Sequence, residues 1–294
     1  MIVLKGFVPA VVTPFDARER IDEQGFAMIV RHMLDIGAGG ICVAGDNGES
    51  WSLDVAERQQ LTGLAVKLAG DRPVIMGVSA PTLRQSLAYI AAAREAGAAA
   101  VLAMPPTYVL KASRDELLRR FEALGRADLP IVLYNSPRRA GVDLSVDDVE
   151  AIIDVAPIIG IKESSRDLAH HTDLIQRVGQ RIAVMTGPSH FILPCAALGA
   201  AGYIATGPEL LGLAGGELTA IGRAAPDTNY VLTHNRLNTL YALLMGHGTW
   251  PAALKCALNH LGLPAGLPRD PVLPLDHAAS ERVRTTLLNL GLLT

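Results

Sequence analysis

Lys162 follows the run Pro157-Ile158-Ile159-Gly160-Ile161 and is itself followed by Glu163-Ser164-Ser165. A run of this composition reads as a short strand buried on both faces. An ammonium delivered at its carboxyl end would be desolvated, and desolvation lowers the pKa of a lysine. The free amine so produced can attack a carbonyl carbon, which is the requirement of Schiff-base chemistry. About 28 residues earlier, Pro130-Ile131-Val132-Leu133 ends in Tyr134 in the same manner. A phenol in that place suits the proton transfers that imine chemistry needs. A reactive amine and a phenol at the ends of successive strands predict an enzyme.

These side chains need elements that hold them together. Short apolar runs predict strands over 7–12, 40–44, 73–78, 99–103, 130–134, 158–162, 182–186 and 202–205. Helical patterns separate them, several opening on side-chain caps: Thr82 with Gln85, Ser113 with Glu116, Ser145 with Asp148. The triplets Ile36-Gly37-Ala38, Ala96-Gly97-Ala98 and Leu198-Gly199-Ala200 each end a helix and lead into a strand, the expected joint with glycine just past the last turn. Eight such units predict an α/β fold of the (β/α)8 TIM-barrel type, with its active site at the carboxyl ends of the strands. Lys162 and Tyr134 both fall at that end. After about residue 208 the pattern changes to helices over 215–224, 229–245, 250–261 and 279–290. We assign 1–208 to the barrel and 209–294 to a helical extension packed on it.

The bulk properties exclude several function classes. Of 294 residues half are apolar and 19% charged, enough to fill a large core. A net charge of −3 with scattered Lys and Arg leaves no basic stripe for nucleic acid. No apolar run approaches the ~18 residues of a membrane span, and the N-terminus lacks the plan of a signal peptide. Cys42, Cys195 and Cys256 sit singly in apolar segments, at no zinc or redox spacing, and read as reduced core thiols. The expectation is a cytoplasmic protein with no membrane or nucleic-acid partner.

Further candidates lie in the predicted strand-to-helix loops. Gly45-Asp46-Asn47-Gly48-Glu49 brackets a tight turn whose backbone N–H groups can hold a carboxylate, or is a plain turn before a helix capped near Ser52 or Asp54. It lacks the ligands of a calcium loop and the Gly-Lys-Ser/Thr of a phosphate loop. Arg138 and Arg139 suit an acidic substrate, or are surface arginines. Tyr108 follows Pro105-Pro106, where packing or an interface is the usual role. His170 and His171 share a helix but point to different faces, which reads as a solvated surface and not a metal site. His190 is a candidate for the barrel mouth.

The strings Gly-Ile-Lys-Glu-Ser-Ser at 160–165, Tyr-Asn-Ser-Pro at 134–137 with Arg139 and Gly141, and the Gly48-Glu49 turn resemble the dihydrodipicolinate synthase / N-acetylneuraminate lyase family. The likeness extends from Pro9-Ala10-Val11-Val12-Thr13-Pro14-Phe15 through the helical extension. It implies a class I lyase that needs no cofactor or metal, because the protonated imine is itself the electron sink, and a homotetramer built as a dimer of dimers. By the same resemblance Lys162 forms the imine with pyruvate or another 2-oxo acid and Tyr134 shuttles protons. Tyr108 reaches into the neighbouring subunit's site, Arg139 binds the carboxylate of the aldehyde partner, and Gly187 and Ile204 line the pocket behind the lysine.

One departure stands out. The family's usual hydroxyl pair, Thr-Thr or Ser-Thr, is Asp46-Asn47 here. Asp46 is either protonated, turned away, or an acid/base group in a different reaction, while Asn47 takes the second substrate-seating position. The reaction is therefore a condensation of pyruvate with an acidic aldehyde, or an aldol, dehydration or deamination step on a sugar-derived 2-keto-3-deoxy acid or hydroxy-oxoacid. A barrel that binds a ligand without catalysis is the reading outside enzymology.

Overall fold

The computed structural model describes residues 2–109 and 112–293. Each predicted apolar run forms a strand: β1 (Gly6–Phe7), β2 (Ile41–Val43), β3 (Val74–Gly77), β4 (Ala100–Ala103), β5 (Ile131–Asn135), β6 (Ile158–Glu163), β7 (Ala183–Thr186) and β8 (Gly202–Tyr203). Helices α1 (Glu23–Asp35), α2 (Val55–Ala69), α3 (Leu83–Glu95), α4 (Arg114–Gly125), the single turn α5 (Pro137–Ala140), α6 (Val146–Val155), α7 (Leu168–Val178) and α8 (Ile192–Ala197) connect them. All neighbouring strands are parallel, in the order β1-β8-β7-β6-β5-β4-β3-β2. The ring closes through a parallel bridge between Ala10 and Cys42. The chain is a (β/α)8 barrel.

The first strand is shorter than the predicted 7–12 because Pro9 has no N–H to give the ladder. Pro9 still accepts from the Cys42 N–H at 2.8 Å, and the Val11 N–H reaches the Cys42 carbonyl at 3.0 Å, so pairing resumes beyond it. The three helix-to-strand glycines, Gly37, Gly97 and Gly199, have φ of 94°, 81° and 106°, the left-handed region that a side chain would strain. Ser113 and Ser145 make reciprocal capping boxes with Glu116 and Asp148. Thr82 caps α3 alone, because Gln85 gives its side-chain amide to the Tyr89 hydroxyl instead.

Strand alternation divides the core into two layers. Leu4, Val8, Cys42, Ile75, Leu102, Val132, Tyr134, Met185 and Ile204 pack together inside the barrel. The intervening residues, such as Val43, Val101, Ile131, Leu133, Ile161 and Val184, pack outward against the helices. This parity turns Tyr134 and Lys162 to the lumen and Asn135 and Glu163 to the helical layer.

After β8 come α9 (Leu213–Gly216), α10 (Leu218–Arg223), α11 (Thr228–Gly246), α12 (Ala252–His260) and α13 (His277–Asn289). They are tied to the barrel by polar contacts as well as by packing. The Tyr203 hydroxyl donates to the Gly215 carbonyl. Lys255, buried on α12, pairs with buried Glu49 and donates to the Leu267 carbonyl at 2.6 Å. Arg269 binds Glu57 at 2.8 Å, and its backbone N–H reaches Glu49 at 2.8 Å. Among the described residues no helix is long and apolar enough to cross a membrane.

Candidate active site

β5 and β6 lie side by side with Tyr134 and Lys162 in register as Cα partners. The Lys162 side chain is only 5% exposed, and its Nζ sits 4.3 Å from the centre of the Tyr134 ring. Below them Cys42 closes the lumen, its thiol pushed up to about 11 by burial, with Lys162 pulling weakly the other way. Carboxylates of the neighbouring segments are engaged elsewhere: Asp46 with Arg139, Glu163 with Asn135 and His170, Glu49 with Lys255.

A cleft opens above the lysine. It gathers Asp46, Asn47, Tyr134, Arg139, Lys162, Gly187 and Ile204, which are seven of the eight residues given catalytic or substrate-binding roles from the sequence. Tyr108 is the eighth, and it is outside. It is 90% exposed, with φ 70°, on the loop after β4. Gly187 is required by close approach: a Cβ there would lie 1.9 Å from Ser164 Oγ and 2.6 Å from the Glu163 carbonyl.

The turn after β2 is held in a strained form. Ala44 and Glu49, on either side of it, have φ of 51° and 55°, costing on the order of 1 kcal/mol each. Its Asn47 amide donates to the Ala10 carbonyl and to Thr206 Oγ1, both at 2.9 Å. Asp46 is turned toward Arg139, which places Nε and Nη2 at 3.1 and 2.8 Å from the same carboxylate oxygen, Oδ2. Asp46 thus stays in the cleft wall, paired there with a guanidinium. A second carboxylate brought within ~4 Å of Asp46 would be repelled by about 1–4 kcal/mol, from the aqueous limit to an effective dielectric of 20.

Two expectations about histidines are corrected. His171 is fully buried, its ring nitrogens at hydrogen-bond distance from the Asp167 and Glu163 carbonyls (2.9 and 3.2 Å). His170 is half-buried, its Nε2 3.3 Å from the Glu163 carboxylate, within ion-pair distance when the ring is protonated, and is not on a solvated face. The first turn of α7 tucks under the end of β6, which helical periodicity alone does not reveal. Burial would push Glu163 up, but bonds from His170, the Ser165 N–H and Asn135 outweigh it and hold the carboxyl below its usual range. The same contact raises His170 above the usual histidine value. His190 packs between Phe191 and Tyr241, at 4.4 and 4.5 Å between ring centres, and is not among the cleft residues. Among the described residues no cluster of His, Cys, Asp and Glu could hold a metal ion.

Sequence reasoning missed part of the wall. Tyr241, Leu244 and Met245 from α11, with Trp250, roof the cleft, and Arg166 donates to the Tyr241 hydroxyl at 2.9 Å. Arg166 lies four residues past the lysine, a position its sequence neighbourhood marks; nothing marks Tyr241 on its helix.

The sequence from residue 3 to residue 290 matches the profile of the Dihydrodipicolinate synthetase family. The chain belongs to that family. It is 33% identical to a 4-hydroxy-tetrahydrodipicolinate synthase of Methanoculleus marisnigri, over 98% of this chain and the whole of that one. It is 30% identical to an uncharacterized DapA-like lyase of Rhizobium meliloti, over 98% and 97% of the two chains. Among solved structures, a dihydrodipicolinate synthase of Bacillus anthracis superposes with a TM-score of 0.93 at 30% identity, covering 98% of this chain and 99% of that one. A chloride-inhibited dihydrodipicolinate synthase of Acinetobacter baumannii, complexed with pyruvate, superposes with a TM-score of 0.92 at 27% identity, covering 99% and 100%. Membership makes the chain a class I aldolase-type lyase, one that works through a Schiff base.

Proposed function

We propose that Lys162 forms an imine with pyruvate or a related 2-oxo acid and that the resulting enamine makes or breaks a carbon–carbon bond. One observation carries this reading: a lysine buried at the carboxyl end of β6, in register with Tyr134 and open to the cleft. The amine adds to C2 of the oxo acid, and the carbinolamine loses its hydroxyl as water after protonation. Loss of a proton from C3 gives the enamine, whose electrons attack the carbonyl carbon of the second reactant. Tyr134 is the group we assign to these proton transfers, its ring lying against the amine. The backbone of the turn that Asn47 pins to Ala10 and Thr206 seats the oxo-acid carboxylate, while Gly187 and Ile204 leave room for the oxo acid's small carbon chain.

We place the protein in the cytoplasm, where three unpaired thiols are at home. We also assign it a tetrameric assembly in which Tyr108 enters a neighbouring site. Support comes from its exposure, high for an aromatic side chain in a left-handed conformation. The intact lysine–tyrosine pair speaks against a barrel that only binds a ligand. The Asp46–Arg139 contact favours a sibling aldolase or dehydratase as the second reading, because the arginine that would take an acidic aldehyde already has a carboxylate.

Borohydride reduction in the presence of pyruvate tests the assignment. The expected result is a reduced pyruvyl adduct located on Lys162 by peptide mass, absent in Lys162→Ala, with turnover in that variant lower by at least about 10³-fold. A wild-type protein that carries no adduct at Lys162 would overturn it.

A further inference from the structure

The cleft contains a charge arrangement that bears on its second reactant, given the imine reading of Lys162 on which this inference rests. Arg139 directs two N–H groups to one oxygen of Asp46. Among the described residues nothing donates to the other oxygen, Oδ1, or receives from Arg139 Nη1. The pair is accessible, with side chains 22% and 45% exposed, and both residues line the cleft. The pair therefore presents an acceptor beside a donor, with its net charge cancelled.

Both partners are held. The Glu49 N–H bonds the Asp46 carbonyl and the Ser50 N–H the Gly45 carbonyl, each at 3.2 Å, and Glu49 is locked by Lys255 and the Arg269 N–H. Arg139 sits on a one-turn helix whose N–H bonds the Ser136 carbonyl at 2.9 Å. A carboxylate taken up by the free Nη1 side of Arg139 would lie beside the Asp46 carboxylate, like charge against like. A hydroxyl meets no such conflict, since it donates to Oδ1 and accepts from the guanidinium at once.

We propose that the Asp46–Arg139 pair sets specificity for the carbonyl partner, disfavouring a carboxylate-bearing aldehyde and selecting an uncharged one with a hydroxyl beside its carbonyl. In the bond-forming step the enamine carbon attacks the aldehyde carbon, and the carbonyl π electrons move to oxygen, which takes a proton. Water then hydrolyses the imine and returns the Lys162 amine. Arg138 and Arg166 line the same cleft and could recruit an anion by another route, so the test includes an acidic reactant.

With pyruvate as donor, kcat/KM is compared for glyceraldehyde, propionaldehyde and succinic semialdehyde. Wild type is expected to favour glyceraldehyde at least tenfold over each of the others. Asp46→Asn, which keeps shape and removes charge, is expected to raise the ratio of succinic semialdehyde to glyceraldehyde at least tenfold. A wild-type preference for the acidic aldehyde, or for propionaldehyde over glyceraldehyde, overturns the proposal. So does an unchanged ratio in a folded Asp46→Asn protein; if that variant does not fold, the wild-type comparison alone decides. Hydride trapping of pyruvate on the wild type separates the two readings. Failure to trap defeats the imine assignment, whereas trapping with the wrong aldehyde preference defeats only the specificity proposal.

Discussion

Lys162 and Glu163 are neighbours in sequence and face opposite layers, and each depends on that separation. Were both on one face, the carboxylate would pair with the ammonium and tie up the side chain. Parity sends Glu163 outward to Asn135, His170 and the Ser165 N–H, and leaves the amine in the lumen beside a phenol. The outward network makes stability depend on pH in a definable direction. Glu163 has a folded pKa below its usual 4.5, so its contribution is full above 4.5 and is lost as pH falls through the depressed value. His170 has a folded pKa above its usual 6.5, so its contribution is full below 6.5 and disappears as pH rises through the raised value. The network is therefore complete between those two ordinary values. Thermal melts of wild type should show a decline in Tm above pH 6.5 that His170→Gln removes; identical pH profiles for the two proteins would contradict this. Lys162 and Tyr134 were legible because a charged or phenolic residue closing a buried run is chemically conspicuous. His170 was not, because its partner is set by how a helix meets a strand.

At the scale of elements, the strands were readable from apolar runs and the joints from glycines that need positive φ. What could not be read was which helix end supports which loop. Asp54 caps α2 in a reciprocal box with Glu57, and Glu57 in turn binds Arg269 from the segment between α12 and α13. The turn carrying Asp46 is thus held from outside the barrel, by Lys255 and Arg269 acting on Glu49 and Glu57. Lys255→Met should cost about 3–5 kcal/mol, because it leaves Glu49 buried without its counter-charge. Removing both charges, with Lys255→Met and Glu49→Gln together, should recover part of the loss. Denaturant midpoints at constant m-value measure both; a double variant no better than the single one would show that the ion pair is not the source.

For the whole molecule, the extension is part of the site, since Tyr241, Leu244, Met245 and Trp250 roof the cleft that the barrel floors. The sequence showed an appendix but not this roof, because contacts between segments about 80 residues apart leave no local pattern. Assembly, too, lay beyond local patterns and rests on resemblance and on the exposure of Tyr108. If Tyr108 serves a neighbour across a two-fold contact, Lys162→Ala and Tyr108→Phe proteins should each be nearly inactive alone. Subunit exchange between them should regenerate about a quarter of wild-type turnover, as half the dimers are mixed and each has one complete site. No recovery after demonstrated exchange would place Tyr108 outside the reaction.

Val8, Cys42, Ile75, Leu102 and Val132 pack together in the barrel interior, and Lys162 opens on the cleft that Asp46 and Arg139 also line. Reactants that share this one cleft enter and leave past the same walls, so they queue. The oxo acid has to occupy the lysine end first, and an aldehyde that arrives early blocks its path. Substrate inhibition by the aldehyde, relieved by more oxo acid, is the kinetic signature of such a shared chamber.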